Sequence, residues 1–73
     1  METRTLDLSQ HRCPMSLLLA KRTSQPLAKN EKLAIKIVDK ISLVDIIKYF
    51  EQHAFDIHVE HVDSYAQLTV TRK

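Results

Sequence analysis

"KLAIKIVDKISLVDIIKYF", residues 32–50, changes its hydrophobic period partway along, and that change decides the fold. Over residues 32–39 the positions alternate, with Leu33, Ile35 and Ile37 on one side and Ala34, Lys36 and Val38 on the other. A period of two belongs to a pleated strand, and the β-branched residues favour it. From Ser42 the period lengthens. Leu43, Ile46, Ile47, Phe50 and then Ala54 fall on one face at helical spacing. Ser42 is expected to start this helix, its hydroxyl accepting from a backbone N–H one turn in, with Asp45 completing a capping-box-like pair.

The same succession of periods occurs upstream. In "TRTLDL", residues 3–8, Leu6 and Leu8 oppose Thr5 and Asp7, which reads as a short strand. A polar connection, "SQHRC", leads to Pro14, after which Met15, Leu18, Leu19 and Arg22 recur at helical spacing, with Leu17 and Ala20 widening the stripe. One of the three adjacent leucines 17–19 is expected to face solvent or a partner. Pro26 should end this helix near residues 23–25, because the residue before proline is pushed out of the α region. Downstream, "FDIHVEHV" (55–62) and "YAQLTVTR" (65–72) both alternate, placing Phe55, Ile57 and Val59, then Ala66, Leu68 and Val70, on the core side. "DSY" between them fits a tight hairpin turn, though without the glycine such turns prefer. The expected fold is an α/β two-layer sandwich of order βαβαββ: a four-stranded mixed sheet with two helices on one face. The first two strands should be parallel through a crossover, and the last two an antiparallel hairpin.

A chain of 73 residues is expected to form a single domain, 1–73. Such a chain buries only about 60% of the surface that its unfolded form exposes. One cysteine excludes an internal disulfide and points to a reducing, cytoplasmic setting. The polar opening, "METRTLDLSQHR", predicts no signal peptide, and no apolar run approaches the roughly 20 residues of a membrane span. Eleven basic and nine acidic residues leave a net charge of +2, spread along the chain, so no direct nucleic-acid partner is expected. Lys21, Arg22 and Lys29 read as a solvated helix face. Glycine is absent, which excludes the glycine-rich phosphate loops of nucleotide-cofactor enzymes.

The lone thiol stands in "HRCPMS", residues 11–16, where loop becomes helix. Proline is favoured at the first helical position, and the residue before it is biased to the extended geometry of an N-cap. Pro14 is therefore expected at the first helical position and Cys13 at the cap. Cysteine is a poor cap, and a position that breaks a local rule invites a functional reading. A helix N-terminus favours an anion by about 0.3–1 kcal/mol, which would lower a thiol's pKa from near 8.5 by up to roughly one unit. Arg12 is a further candidate stabiliser of the thiolate. Unpaired cysteine is also among the most buried residue types, so a packing role stays open at this point. His11, His53, His58 and His61 do not form a metal set by spacing: His58 and His61 lie three apart on a strand and face opposite sides. No metal and no cofactor are expected.

These segments together resemble the TusA/SirA family of small sulfur-carrier proteins. The resemblance runs from "TLDL" through "HRCPM", "LAIKIVD" and "SLVDI" to the closing "LTVTRK". It implies the same βαβαββ sandwich and a cysteine that carries sulfur as a persulfide. Cys13 matches that cysteine, and Pro14 the first proline of the family's Cys-Pro-x-Pro signature. The implied partners are a cysteine desulfurase or other sulfurtransferase as donor and a downstream acceptor protein. Ser16 stands where the second proline would be; it should be harmless in a first turn and restore a backbone donor near the sulfur. The acidic-leucine stretch before the cysteine is altered to "LDLSQHRC". His53-Ala54 replaces a glycine-histidine pair, so His53 is expected to take a left-handed cap conformation. These departures mark a divergent member. No general base is evident, which suits a carrier better than a complete enzyme. The competing class is a non-catalytic regulatory or protein-interaction domain of the same fold. The pathway, whether tRNA thiolation, cofactor synthesis or sulfur oxidation, is not written in the residues.

Overall fold

The computed structural model describes residues 3–12 and 14–73. Its elements follow the expected order: β1 (Thr3–Asp7), α1 (Met15–Ser24), β2 (Lys32–Ile37), α2 (Lys40–Glu51), β3 (Phe55–Val62) and β4 (Tyr65–Arg72). The strands form one mixed sheet in the order β1-β2-β4-β3. β1 runs parallel to β2, whereas β4 lies antiparallel to both β2 and β3.

The register explains how the core closes. Leu33 pairs with Val70, Ile35 with Leu68 and Ile37 with Ala66, so the apolar halves of the two central strands lie opposite one another. All six of these side chains are buried. They pack in one cluster with Ala20 of α1 and with Ile46 and Phe50 of α2, apart from Ala66, which is buried beside it. Lys32, Lys36 and Gln67, on the alternate positions, are exposed. Both helices thus cover one face of the sheet, and the other meets water, as antiparallel sheets commonly do.

Several details of α1 and α2 differ from expectation. The buried face of α1 is formed by Ser16, Ala20 and Ser24, spaced by four, while Met15 and Leu18 are half exposed. Leu17 and Leu19 flank this small-residue stripe and pack partly against the core. Small side chains win the buried positions because α1 approaches α2 closely, near enough for the Ser16 and Ser42 hydroxyls to meet at 2.6 Å. Lys21 is half-buried, its Nζ 5.1 Å from the centre of the Tyr49 ring, and is not simply solvated. In α2 the cap is Asp39, whose carboxylate accepts from the Ser42 N–H at 3.1 Å. Ser42 is the third helical residue, not the first, and Ala54 lies exposed beyond the helix end.

The missing glycines are replaced at two turns. Among the described residues only Asn30 (φ 72°) and Asp63 (φ 45°) have positive φ. Asn and Asp tolerate this region best of the non-glycine residues. Asp63 and Ser64 close the β3–β4 hairpin as a two-residue turn, with Val62 paired to Tyr65. Asp63→Ala should therefore destabilise the domain by about 1 kcal/mol. A urea midpoint indistinguishable from that of the parent chain would show that the turn carries no such cost.

His53 does not take the left-handed conformation expected of it. The last turn of α2 tightens instead, with the Gln52 N–H reaching both Lys48 O and Tyr49 O at 3.2 Å and the His53 N–H reaching Phe50 O at 3.2 Å. The His53 Nδ1–H then donates to Tyr49 O at 2.7 Å, and its ring lies 4.2 Å from the Tyr49 ring. These bonds occupy carbonyls that a left-handed cap would have served.

Candidate functional site at the start of helix α1

The loop from β1 to α1 is held by short local bonds. Leu8 is fully buried, and its N–H donates to Lys36 O at 2.8 Å, extending the parallel pairing by one residue. The Asp7 carboxylate accepts from the Ser9 N–H at 2.8 Å, and the His11 N–H donates to Leu8 O at 3.0 Å. The Ser9 hydrogen bonds hold the Asp7 carboxyl below its ordinary range, with smaller help from Lys36 and His11. A depressed carboxyl adds to stability above its unfolded pKa, and that contribution is lost as pH falls through the folded value. The midpoint at which the Ser9 amide loses its hydrogen-bonded NMR shift should accordingly lie below that of an unperturbed aspartate. A midpoint at or above that of an unperturbed aspartate would contradict this.

Beyond the loop, α1 begins one residue later than expected. Pro14 occupies the cap, at φ −91° and ψ −6°, and Met15 is the first helical residue. Proline suits this place because it has no N–H to satisfy, while its carbonyl accepts from the Leu18 N–H at 3.1 Å. The Ser16 N–H donates to Arg12 O at 3.0 Å. It is therefore engaged within the chain and is not a spare donor for a sulfur anion. Cys13, on which the thiol reading rests, lies outside the described residues. Its neighbours Arg12 and Pro14 are both exposed.

The two helices start side by side, joined by a buried hydroxyl chain. The Ser16 hydroxyl donates to Ser42 Oγ at 2.6 Å, and the Ser42 hydroxyl donates to Asp39 Oδ2 at 2.7 Å. A carboxylate only accepts, so it commits the Ser42 proton to Asp39 and leaves Ser42 Oγ to receive that of Ser16. Both serines are fully buried. Among the described residues no buried side-chain polar atom lacks a partner. The sequence pattern hints at this only indirectly. Asp39 stands three residues before Ser42, a spacing typical of a cap and its target, and Ser16, Ala20 and Ser24 form a small-residue row at intervals of four.

Around this end the surface is unusually apolar. Met15 and Leu18 of α1 and Val38, Ile41 and Val44 about the start of α2 are all exposed, Ile41 by 68%. An open cleft of about 590 Å³ separates the β1–α1 loop from the β2–α2 turn, with His11, Arg12, Val38, Lys40 and Ile41 on its walls. The other histidines lie elsewhere. His58 projects with Asp56 and Glu60, its Nε2 3.3 Å from Glu60 Oε1, both side chains being exposed. His61 sits on the alternate face opposite Ala66 and lines a separate cleft beside Leu43 and Val44. Among the described residues no cluster of three or more metal-ligating side chains is assembled. No helix there is long and apolar enough to cross a membrane.

The family model described as sulfurtransferase TusA matches residues 4–72. No curated protein gives a significant sequence match. The crystal structure of a SirA-like protein from Desulfitobacterium hafniense is similar in fold, with a TM-score of 0.81, 17% identity, and 96% of each chain covered.

Proposed function

The chain belongs to the TusA sulfurtransferase family, whose general role is sulfur carriage, and from that premise we propose that it accepts persulfide sulfur on Cys13 and relays it to a downstream acceptor. The observation that carries this reading is the family match spanning Cys13-Pro14, together with the exposure of the residues on either side, Arg12 and Pro14. The Cys13 thiolate attacks the terminal sulfur of a donor persulfide. A new S–S bond forms at Cys13, the donor's S–S bond breaks, and the donor cysteine leaves as thiolate. The step is redox-neutral and needs no cofactor or metal. Its rate depends on thiolate fraction, nucleophilicity and access, as in thiol–disulfide exchange.

Pro14 sets the start of α1, whose amide dipoles favour an anion at that end, and Arg12 supplies a cation one residue from the sulfur. The donor is a cysteine desulfurase or another sulfurtransferase, and the acceptor a second protein thiol. Met15 and Leu18 offer an apolar contact in the first turn of α1 for either partner. Residues 1–73 act as one domain in this scheme, in a reducing cytoplasm where a free thiol persists. The test is to incubate the protein with a cysteine desulfurase and L-cysteine, then measure intact mass. One added sulfur, about 32 Da, is expected. Absence of any adduct with several donors would favour a non-catalytic interaction domain.

A further inference from the structure

We infer that Ser16 is a positioning residue for the Cys13 thiol, because its buried hydroxyl ties the start of α1 to the cap of α2. The inference rests on the sulfur-carrier reading and adds to it a residue that never touches sulfur.

Three observations lead to it. First, among the described residues α1 has no side-chain cap of its own: Pro14 makes no side-chain hydrogen bond, and the first turn holds no acidic residue. A helix of ten residues is too short to hold its ends by propensity alone. Second, α2 is well secured at the same end of the molecule. Asp39 accepts from both the Ser42 N–H and the Ser42 hydroxyl. Third, the single side-chain hydrogen bond between the two helix starts, among the described residues, is the one from Ser16 to Ser42. In effect α1 borrows the cap of α2 through two buried hydroxyls.

The tie acts at the right place on the chain. The Ser16 N–H reaches back to Arg12 O, so the residue that holds the hydroxyl chain also holds the backbone on the far side of position 13. Loosening Ser16 would release the first turn of α1 and with it the alignment of the amide dipoles that favour a thiolate. Ser24 provides an internal control. It is another buried serine of α1, but its hydroxyl donates to Lys21 O within the same helix, and among the described residues it ties α1 to nothing else.

The experiment measures the pH dependence of iodoacetamide alkylation at Cys13 in the parent chain and in Ser16→Ala, Ser42→Ala and Ser24→Ala, with urea midpoints recorded for each. Ser16→Ala and Ser42→Ala should each move the alkylation midpoint upward by roughly half a pH unit. Sulfur loading from a desulfurase at neutral pH should slow by about threefold, following the loss of thiolate. The double variant should shift no further than either single one, since both cut the same chain. Ser24→Ala should lower the urea midpoint without moving the alkylation midpoint. The inference is overturned if Ser16→Ala behaves like Ser24→Ala, losing stability while the thiol midpoint stays in place. Alkylation needs no sulfur donor, so a parent chain that alkylates normally but never loads sulfur would refute the carrier reading separately.

Discussion

Phe50→Ala is expected to remove most of the domain's folding free energy. Phe50 is fully buried, and its ring packs edge-on against Phe55 at 4.8 Å and Tyr49 at 5.1 Å. It joins α2 to the first residue of β3, so its loss opens a cavity where two elements meet. Truncating a buried phenylalanine costs about 3–5 kcal/mol, whereas small domains have only about 5–15 kcal/mol in total. This chain should lie at the lower end of that range, because a short chain buries a smaller fraction of its surface. Chemical denaturation should show a much lower midpoint, or a chain already largely unfolded in buffer. Ile41→Ala provides the contrast: Ile41 is 68% exposed and should change stability by no more than about 0.5 kcal/mol. A Phe50→Ala loss under about 1 kcal/mol would mean that the core is not closed by this residue.

Cys13→Ser should reduce sulfur loading to background while the far-UV spectrum and urea midpoint stay near those of the parent chain. A serine hydroxyl is not ionised at neutral pH and forms no stable bond to a transferred sulfur. The chain has no second cysteine to substitute for it. Arg12→Ala should have a graded effect, slowing loading by about two- to threefold, since a neighbouring cation lowers a thiol's pKa only modestly. Residual stoichiometric loading of Cys13→Ser would place the sulfur chemistry elsewhere.

The arrangement of elements was legible because each carries one clear period. β2 and the β3–β4 hairpin were readable from alternation alone, and both hairpin strands run over the residues where alternation put them. Their partners in the sheet follow from the same pattern, since Leu33, Ile35 and Ile37 must face other apolar rows. α1 was less legible. Hydrophobicity left one of its three adjacent leucines to face outward, as Leu18 does, but the close approach of α1 to α2 selects Ser16, Ala20 and Ser24 for burial, and that distance is a tertiary property. The cap of α2 lies three residues before the position its sequence suggests, for a related reason: Ser42 has the chemistry of a cap, but Asp39 has it too and comes first. His53 shows that a missing glycine need not force a strained residue, because its imidazole and two tightened backbone bonds serve the helix end instead. At the site, the junction of loop and helix was readable from Cys13-Pro14. The hydroxyl chain beneath it was not, since it joins residues 26 positions apart.

The most direct test of sulfur carriage by Cys13 is a chase. The protein is loaded with labelled sulfur from L-cysteine and a desulfurase, separated from the donor, and mixed with a second protein that presents a reactive thiol. The account predicts that label leaves Cys13, appears on the acceptor, and that the emptied chain reloads on return to the donor. Label that stays on the chain, or that never attaches to the peptide containing Cys13, would contradict it.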